Sequence, residues 1–144
     1  MPKALIVFTT RTEETLRIAE FIAEGLRFSA VDVTLTEAKD IKKESDLAGY
    51  DAYVFGSPTY HGEMTAGMKT FLFLAEKAAL AGKAGGAFGA FGWSGEAPER
   101  IYETMRNIFQ MDMVGGPLML KSSKLQGGMK MAQDYGREIA AKLA

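Results

Sequence analysis

The chain has 144 residues, 47% of them hydrophobic and 24% charged, with a formal net charge of −1 at pH 7 and no cysteine. That is enough chain and enough apolar material for a substantial core, so disorder is not the default expectation. The near-balanced charge lacks the basic excess of a nucleic-acid binder, and the missing cysteines exclude disulfides, thiolate metal sites and cysteine nucleophiles.

Residues 4–8 (Ala-Leu-Ile-Val-Phe) form a continuous apolar run, the pattern of a strand buried on both faces of a parallel sheet. Over residues 14–27 the period becomes helical, with Leu16, Ala19, Ile22, Ala23 and Leu26 on one face. Residues 31–35 alternate and read as a strand near a sheet edge. Residues 36–50 are polar and weakly patterned, a loop with one short helical turn expected at 44–47. Residues 52–56 form a second buried strand, and Ser57-Pro58 ends it, since proline pushes its predecessor away from helix. A helix is expected over about 65–80, with Met68, Phe71, Leu72 and Ala75 on one face. Residues 82–86 (Gly-Lys-Ala-Gly-Gly) read as a break and 87–91 as a third buried strand. A helix over about 98–109 has Pro98 at or near its first position. A last strand over 113–120 is interrupted by Gly115-Gly116-Pro117, and a helix over about 127–143 closes the chain.

Strands alternating with helices imply βαβ units, a parallel sheet and right-handed crossovers. An α/β, doubly wound five-stranded sheet of order 2-1-3-4-5 is expected, with helices on both faces. Ligands bind such sheets beyond the carboxyl ends of the strands, where the strand order reverses. Three loops are thereby marked: those after Phe8, after Gly56 and after Phe91. No repeat, low-complexity tract, linker, secretory leader or apolar run of membrane-spanning length is visible. One domain over residues 1–144 is expected, cytoplasmic, with no nucleic-acid or membrane partner.

The first loop, residues 9–15, joins a buried strand to a helix N-terminus, where free amides and the helix dipole favour an anion. Thr9, Thr10, Thr12 and Thr15 add hydroxyls. Ordinary capping accounts for the same residues, with Thr12 as the cap and Glu13 and Glu14 in the first turn. In the second loop Tyr60 suits stacking on a flat ring and Gly62 permits a positive φ beside a ligand. His61, the single histidine, reads by itself as an exposed loop residue. The third loop, Phe91-Gly92-Trp93-Ser94-Gly95-Glu96, carries the single tryptophan between glycines, an aromatic face placed for stacking. Hydroxyls and aromatics without an acid–base dyad or a metal cluster suit a planar ligand with a phosphate tail better than hydrolytic chemistry.

On these residues the chain resembles the flavodoxin family over essentially its whole length, in particular the flavodoxin-like domain of flavodiiron proteins. It begins with Met-Pro-Lys-Ala-Leu-Ile-Val at residues 1–7, and Thr10, Thr12 and Thr15 fall on the hydroxyl positions of the family's phosphate loop, Thr/Ser-x-Thr-Gly-x-Thr. Gly56-Ser57-Pro58-Thr59-Tyr60 is similar to the loop at the inner edge and one face of the isoalloxazine, and Phe91-Gly92-Trp93-Ser94-Gly95-Glu96-Ala97 to the third loop. The resemblance implies FMN as cofactor and single-electron transfer, with the protein tuning a flavin that carries the chemistry. It implies a cofactor-binding set of Thr10, Arg11, Thr12, Glu13, Glu14, Thr15, Ser57, Pro58, Thr59, Tyr60, His61, Gly62, Phe91, Gly92, Trp93 and Gly95, with no catalytic residue and no metal ligand. Tyr60 and Trp93 would cover the ring, and the backbone of residues 59–62 would lie against its N5, with a peptide beside Gly62 free to flip. The implied partners are redox proteins, a reductase or ferredoxin-like donor and an unidentified acceptor, for a monomer or weak dimer. Two departures stand out. Glu13 occupies the family's glycine position, setting a carboxylate beside a dianionic phosphate on a less adaptable backbone. The near-neutral charge departs from the strongly acidic family habit.

The nearest alternative is an FMN-dependent NAD(P)H:quinone reductase of the same fold, in which Ser57-Pro58-Thr59 also occurs, though such chains are usually longer. A flavin-free degenerate flavodoxin acting as a binding module has only Glu13 in its favour. A phosphoreceiver lacks its acids, since Thr9-Thr10 and Gly56-Ser57 stand at those positions. A low-molecular-weight phosphatase lacks its cysteine. Gly92-Trp93-Ser94-Gly95-Glu96 lacks the final glycine of a nucleophile elbow, and His61 precedes the serine.

Overall fold

Strands and helices alternate from the first apolar run onward: β1 (Lys3–Phe8), α1 (Glu14–Phe28), β2 (Asp32–Glu37), short 3-10 turns at Ala38–Asp40 and Glu44–Leu47, β3 (Ala52–Gly56), α2 (Ala66–Ala75), β4 (Ala84–Ala90), α3 (Glu96–Glu103), β5 (Asp112–Met113), β6 (Leu118–Leu120) and α4 (Gly128–Ala141). The computed structural model describes residues 1–59, 62–90, 96–121 and 127–144. Among these, no helix is long and apolar enough to cross a membrane.

The strands pair in parallel in the order β2-β1-β3-β4-β5, the expected doubly wound arrangement. The fifth place is shared: β5 meets β4 at Gly85↔Met113 and β6 meets it at Phe88↔Leu118. Pro117 has no N–H to give to a ladder, so Gly115-Gly116-Pro117 leaves the sheet and the chain re-enters as a separate strand.

Side-chain alternation along β1 divides the interior in two. Ala4, Ile6 and Phe8 pack with Val54 and Phe88 under α1 and α4, through Ile18, Ile22, Ala132 and Ile139. Leu5 and Val7 pack with Tyr53 and Phe55 under α2 and α3, through Met68, Phe71, Ile101 and Met105. Both faces of the sheet are covered, which explains why β1, β3 and β4 read as unbroken apolar runs.

The break expected over residues 82–86 is confined to Gly82 (φ 80°), while Ala84, Gly85 and Gly86 already lie in the fully buried β4. Glycine serves packing there: a Cβ on Gly85 would meet Met113 Sδ at 2.8 Å, and one on Gly86 would meet Ile139 Cδ1 at 2.9 Å. Two helix ends also differ from expectation. α2 stops at Ala75 and passes through a 3-10 turn (Glu76–Ala78) to Ala79 in the left-handed region, φ 56°. α3 starts at Glu96, so Pro98 sits in its first turn, and it continues into a π turn at Thr104–Ile108.

Tyr135 on α4 ties the split edge together. Its hydroxyl accepts from the Ala87 amide at 3.1 Å and donates to the Gly116 carbonyl at 2.7 Å. Burial pushes the phenol well above its ordinary pKa, keeping it a donor. Tyr135→Phe leaves both backbone groups without that partner, and a loss of about 1–3 kcal/mol is expected, read as a lower urea midpoint at unchanged slope.

Candidate functional site

The register sets the ends of β1 and β3 level, with Phe8 opposite Gly56 and Gly56 opposite Phe88. Beyond those ends the loops are bonded to the neighbouring strand: the Thr9 amide donates to the Gly56 carbonyl (3.0 Å), the Ser57 amide to Phe88 (3.2 Å) and the Thr59 amide to Ala90 (3.4 Å). The loops after β1 and β3 thus stand side by side where the strand order reverses.

α1 begins differently from the capping expected of Thr12. Glu13 occupies the cap position at φ 66°, ψ 0°, its carbonyl accepting from the Arg17 amide at 3.0 Å, and no side chain caps the first turn. Thr12 is exposed. A non-glycine residue in the left-handed region costs about 1 kcal/mol or more and persists only where its surroundings impose it. Here the strand end is pinned by the Thr9 amide, and the helix start by buried Thr15 and Ile18. The hydroxyls of Thr10 and Thr15 are both out of contact with solvent and have no hydrogen-bond partner among the described residues; Thr15 is only 1% exposed. Buried hydroxyls ordinarily find partners, so two orphans at an uncapped helix N-terminus fit an acceptor group that arrives with a ligand. Arg11 is exposed, and Glu14 lies in the first turn.

The second loop rests on Thr65, which the sequence marks only as a helix start. Thr65 caps α2, accepting from the Met68 amide at 3.2 Å, and its hydroxyl also meets that of Thr9 at 2.7 Å. Its amide donates to Ser57 Oγ at 3.1 Å. A threonine before an apolar helical face is a cap signal; its link to residue 9 is not visible in the sequence. Ser57 is fully buried, its hydroxyl donating to the Pro58 carbonyl at 2.9 Å. Pro58 and Thr59 are half-buried, and Thr59 Oγ1 accepts from the Ala97 amide at 3.1 Å, joining the second loop to α3. Gly62 has φ 72°, and a Cβ there would meet no atom of the described residues within 4 Å. Next to it, Glu63 faces Lys69 at 3.4 Å and Arg100 at 3.6 Å. Burial opposes ionisation of Glu63, but the Lys69 and Met64 hydrogen bonds and the Arg100 charge outweigh it and hold the carboxyl below its usual range. Beneath the loop, Gly89 permits close approach: a Cβ there would lie 2.1 Å from the Ser57 carbonyl oxygen.

Tyr60, His61, Phe91, Gly92, Trp93 and Gly95 lie outside the described residues. Among the described residues no group of three or more His, Cys, Asp or Glu side chains could hold a metal ion. A cleft of about 620 Å³ opens beside Thr9 and Thr10, walled by Phe71 and Leu74, with Lys39 and Lys42 also on its lining. A larger one, about 970 Å³, lies between α1 and β2, shares only Phe8 with the strand ends just described, and holds none of the loop hydroxyls.

Residues 11–123 match the family model described as NADPH-dependent FMN reductase. A flavodoxin from Aquifex aeolicus is 38% identical over 72 residues, covering 49% of this chain and 38% of that protein. An NAD(P)H dehydrogenase (quinone) from Archaeoglobus fulgidus is 26% identical over 96 residues, covering 50% of each. The chain thus spans half or less of the length of these curated relatives. Among solved structures, a flavodoxin from the domain Archaea superposes with a TM-score of 0.92 at 31% identity, covering 98% of both chains. The flavodiiron protein from Giardia intestinalis superposes with a TM-score of 0.88 at 24% identity, covering 97% of this chain and 36% of the other, a likeness of fold.

Proposed function

The chain belongs to the flavodoxin family and matches the NADPH-dependent FMN reductase family, and from that premise we propose that it holds FMN beyond the ends of β1, β3 and β4 and carries single electrons between redox proteins. The observation that carries this reading is the pair of orphaned buried hydroxyls, Thr10 and Thr15, at the uncapped N-terminus of α1. A phosphate accepts hydrogen bonds from hydroxyls and first-turn amides alike and is favoured by the helix dipole. Bound FMN supplies the redox chemistry; the protein supplies position, cover and nearby charge.

In this reading Thr10, Thr12 and Thr15, with the amides of residues 11–15, hold the phosphate. Pro58 and Thr59 present the second loop's backbone to the ring edge. Ser57 and Thr65 act behind them: their mutual bonds keep that loop against the end of β1. Gly62, already at positive φ, gives the following peptide freedom to reorient beside the ring. Tyr60 and Trp93 cover its faces. The partners are a reductase or ferredoxin-like donor and a separate acceptor.

The likeness to an NAD(P)H dehydrogenase (quinone) favours a second reading, in which the flavin passes electrons from NAD(P)H to a quinone. Addition of FMN to the flavin-free protein, followed by visible absorption and flavin fluorescence, tests the site. Quenched fluorescence and shifted bands are expected; an unchanged spectrum removes both readings. A reductive titration then divides them. Two separated one-electron steps without turnover of NAD(P)H support the carrier, whereas quinone-dependent oxidation of NAD(P)H supports the reductase.

A further inference from the structure

We infer that Glu13 sets the selectivity of this site among flavins, weakening its hold on the doubly charged phosphate of FMN while leaving the unphosphorylated flavin untouched. The inference rests on the flavin reading above. It starts from the backbone. Glu13 holds φ 66° and ψ 0° at the cap of α1, so the loop keeps a left-handed turn suited to glycine although the residue is not glycine. The shape that directs first-turn amides at an anion is retained, while a carboxylate replaces a hydrogen atom at its rim. Glu13 is exposed, and Glu14 follows it in the first turn.

Two effects act together. Carboxylates at a helix N-terminus are themselves stabilised by the dipole, so the empty site already enjoys the attraction that a phosphate would use. From the cap position a glutamate side chain can bring its carboxylate within several ångströms of an anion held by the first-turn amides. For charges roughly 6 Å apart in a water-like medium, repulsion lowers affinity about threefold per phosphate charge, and about tenfold for a dianion. The orphaned hydroxyls of Thr10 and Thr15 favour phosphate, and Glu13 opposes it. Riboflavin, which lacks the phosphate, experiences neither.

The test is a fluorescence-quenching titration of the full chain with FMN and with riboflavin at pH 7.5 and low salt, for the native protein, Glu13→Gln and Glu13→Gly. Glu13→Gln is expected to bind FMN about tenfold more tightly with riboflavin affinity changed less than twofold. The gain should shrink at 0.5 M salt, where screening acts over only a few ångströms. Glu13→Gly should match Glu13→Gln. Tightening by glycine alone would make backbone strain the determinant and overturn the inference, as would equal tightening toward both flavins or none toward either. Failure of all three proteins to bind either flavin would instead remove the flavin reading, and this inference with it.

Discussion

Replacing Gly136 by alanine is expected to destabilise the protein by about 3 kcal/mol or more, although alanine is the better helix former by about 1 kcal/mol. α1 and α4 cross at a pair of glycines, each facing the other helix's backbone. A Cβ on Gly136 would sit 2.3 Å from the Ile22 carbonyl oxygen and 2.9 Å from the Leu26 nitrogen; one on Gly25 would sit 2.0 Å from the Gln133 carbonyl oxygen. Backbone atoms cannot swing aside as a side chain can, so the helices must separate. Separation loosens the packing of Ile18, Ile22, Ala132 and Ile139, all fully buried in one core. Gly25→Ala should behave alike. Gly67→Ala is the control: its Cβ would meet only Thr9 Cγ2, at an ordinary 3.5 Å. There the propensity gain should dominate and stability rise by a few tenths of a kcal/mol. Urea unfolding of the three variants checks the contrast, and a small effect at Gly136 would mean that the helices can separate at little cost.

Thr15→Val is expected to move stability and FMN affinity in opposite directions. The hydroxyl is buried without a hydrogen-bond partner among the described residues, and an unsatisfied buried hydroxyl costs about 1–3 kcal/mol. Valine has nearly the same shape and lacks that group, so the flavin-free protein should gain about 1 kcal/mol. If Thr15 is a phosphate ligand as proposed, its hydroxyl would donate to a charged oxygen, a bond worth about 1.5–3 kcal/mol, so the variant should bind FMN at least tenfold more weakly while riboflavin affinity holds. Thermal unfolding without ligand and titration with both flavins give the two numbers. Loss of stability without ligand would show that the hydroxyl has a protein partner and is no phosphate ligand.

Much of the site's location follows from patterning alone. Residues 4–8, 52–56 and 87–90 are apolar without alternation because helices cover both sheet faces, and a strand–helix alternation admits few topologies. That fixes which loops share the switch point. The hydroxyls at Thr10 and Thr15 and the glycine at residue 62 are local chemistry and equally legible. The cap of α1 is not. Propensity favours Thr12, yet Glu13 takes the position in a conformation it intrinsically disfavours, because strand and helix are each anchored by contacts far along the chain. Thr65 is similar: a cap signal is local, but its meeting with Thr9, 56 residues away, exists only when β1 and α2 are packed.

The sequence by itself therefore determined the alternation of elements, the strand order, the two-sided core and the adjacency of the loops after Phe8 and Gly56, because these depend on hydrophobic period and crossover handedness. Only the tertiary structure decided which hydroxyls remain unpaired, which residue caps α1, and that Gly25, Gly85, Gly86, Gly89 and Gly136 serve close packing rather than turns. Each of these depends on distances between segments remote in the chain, and a periodic pattern carries no information about such distances.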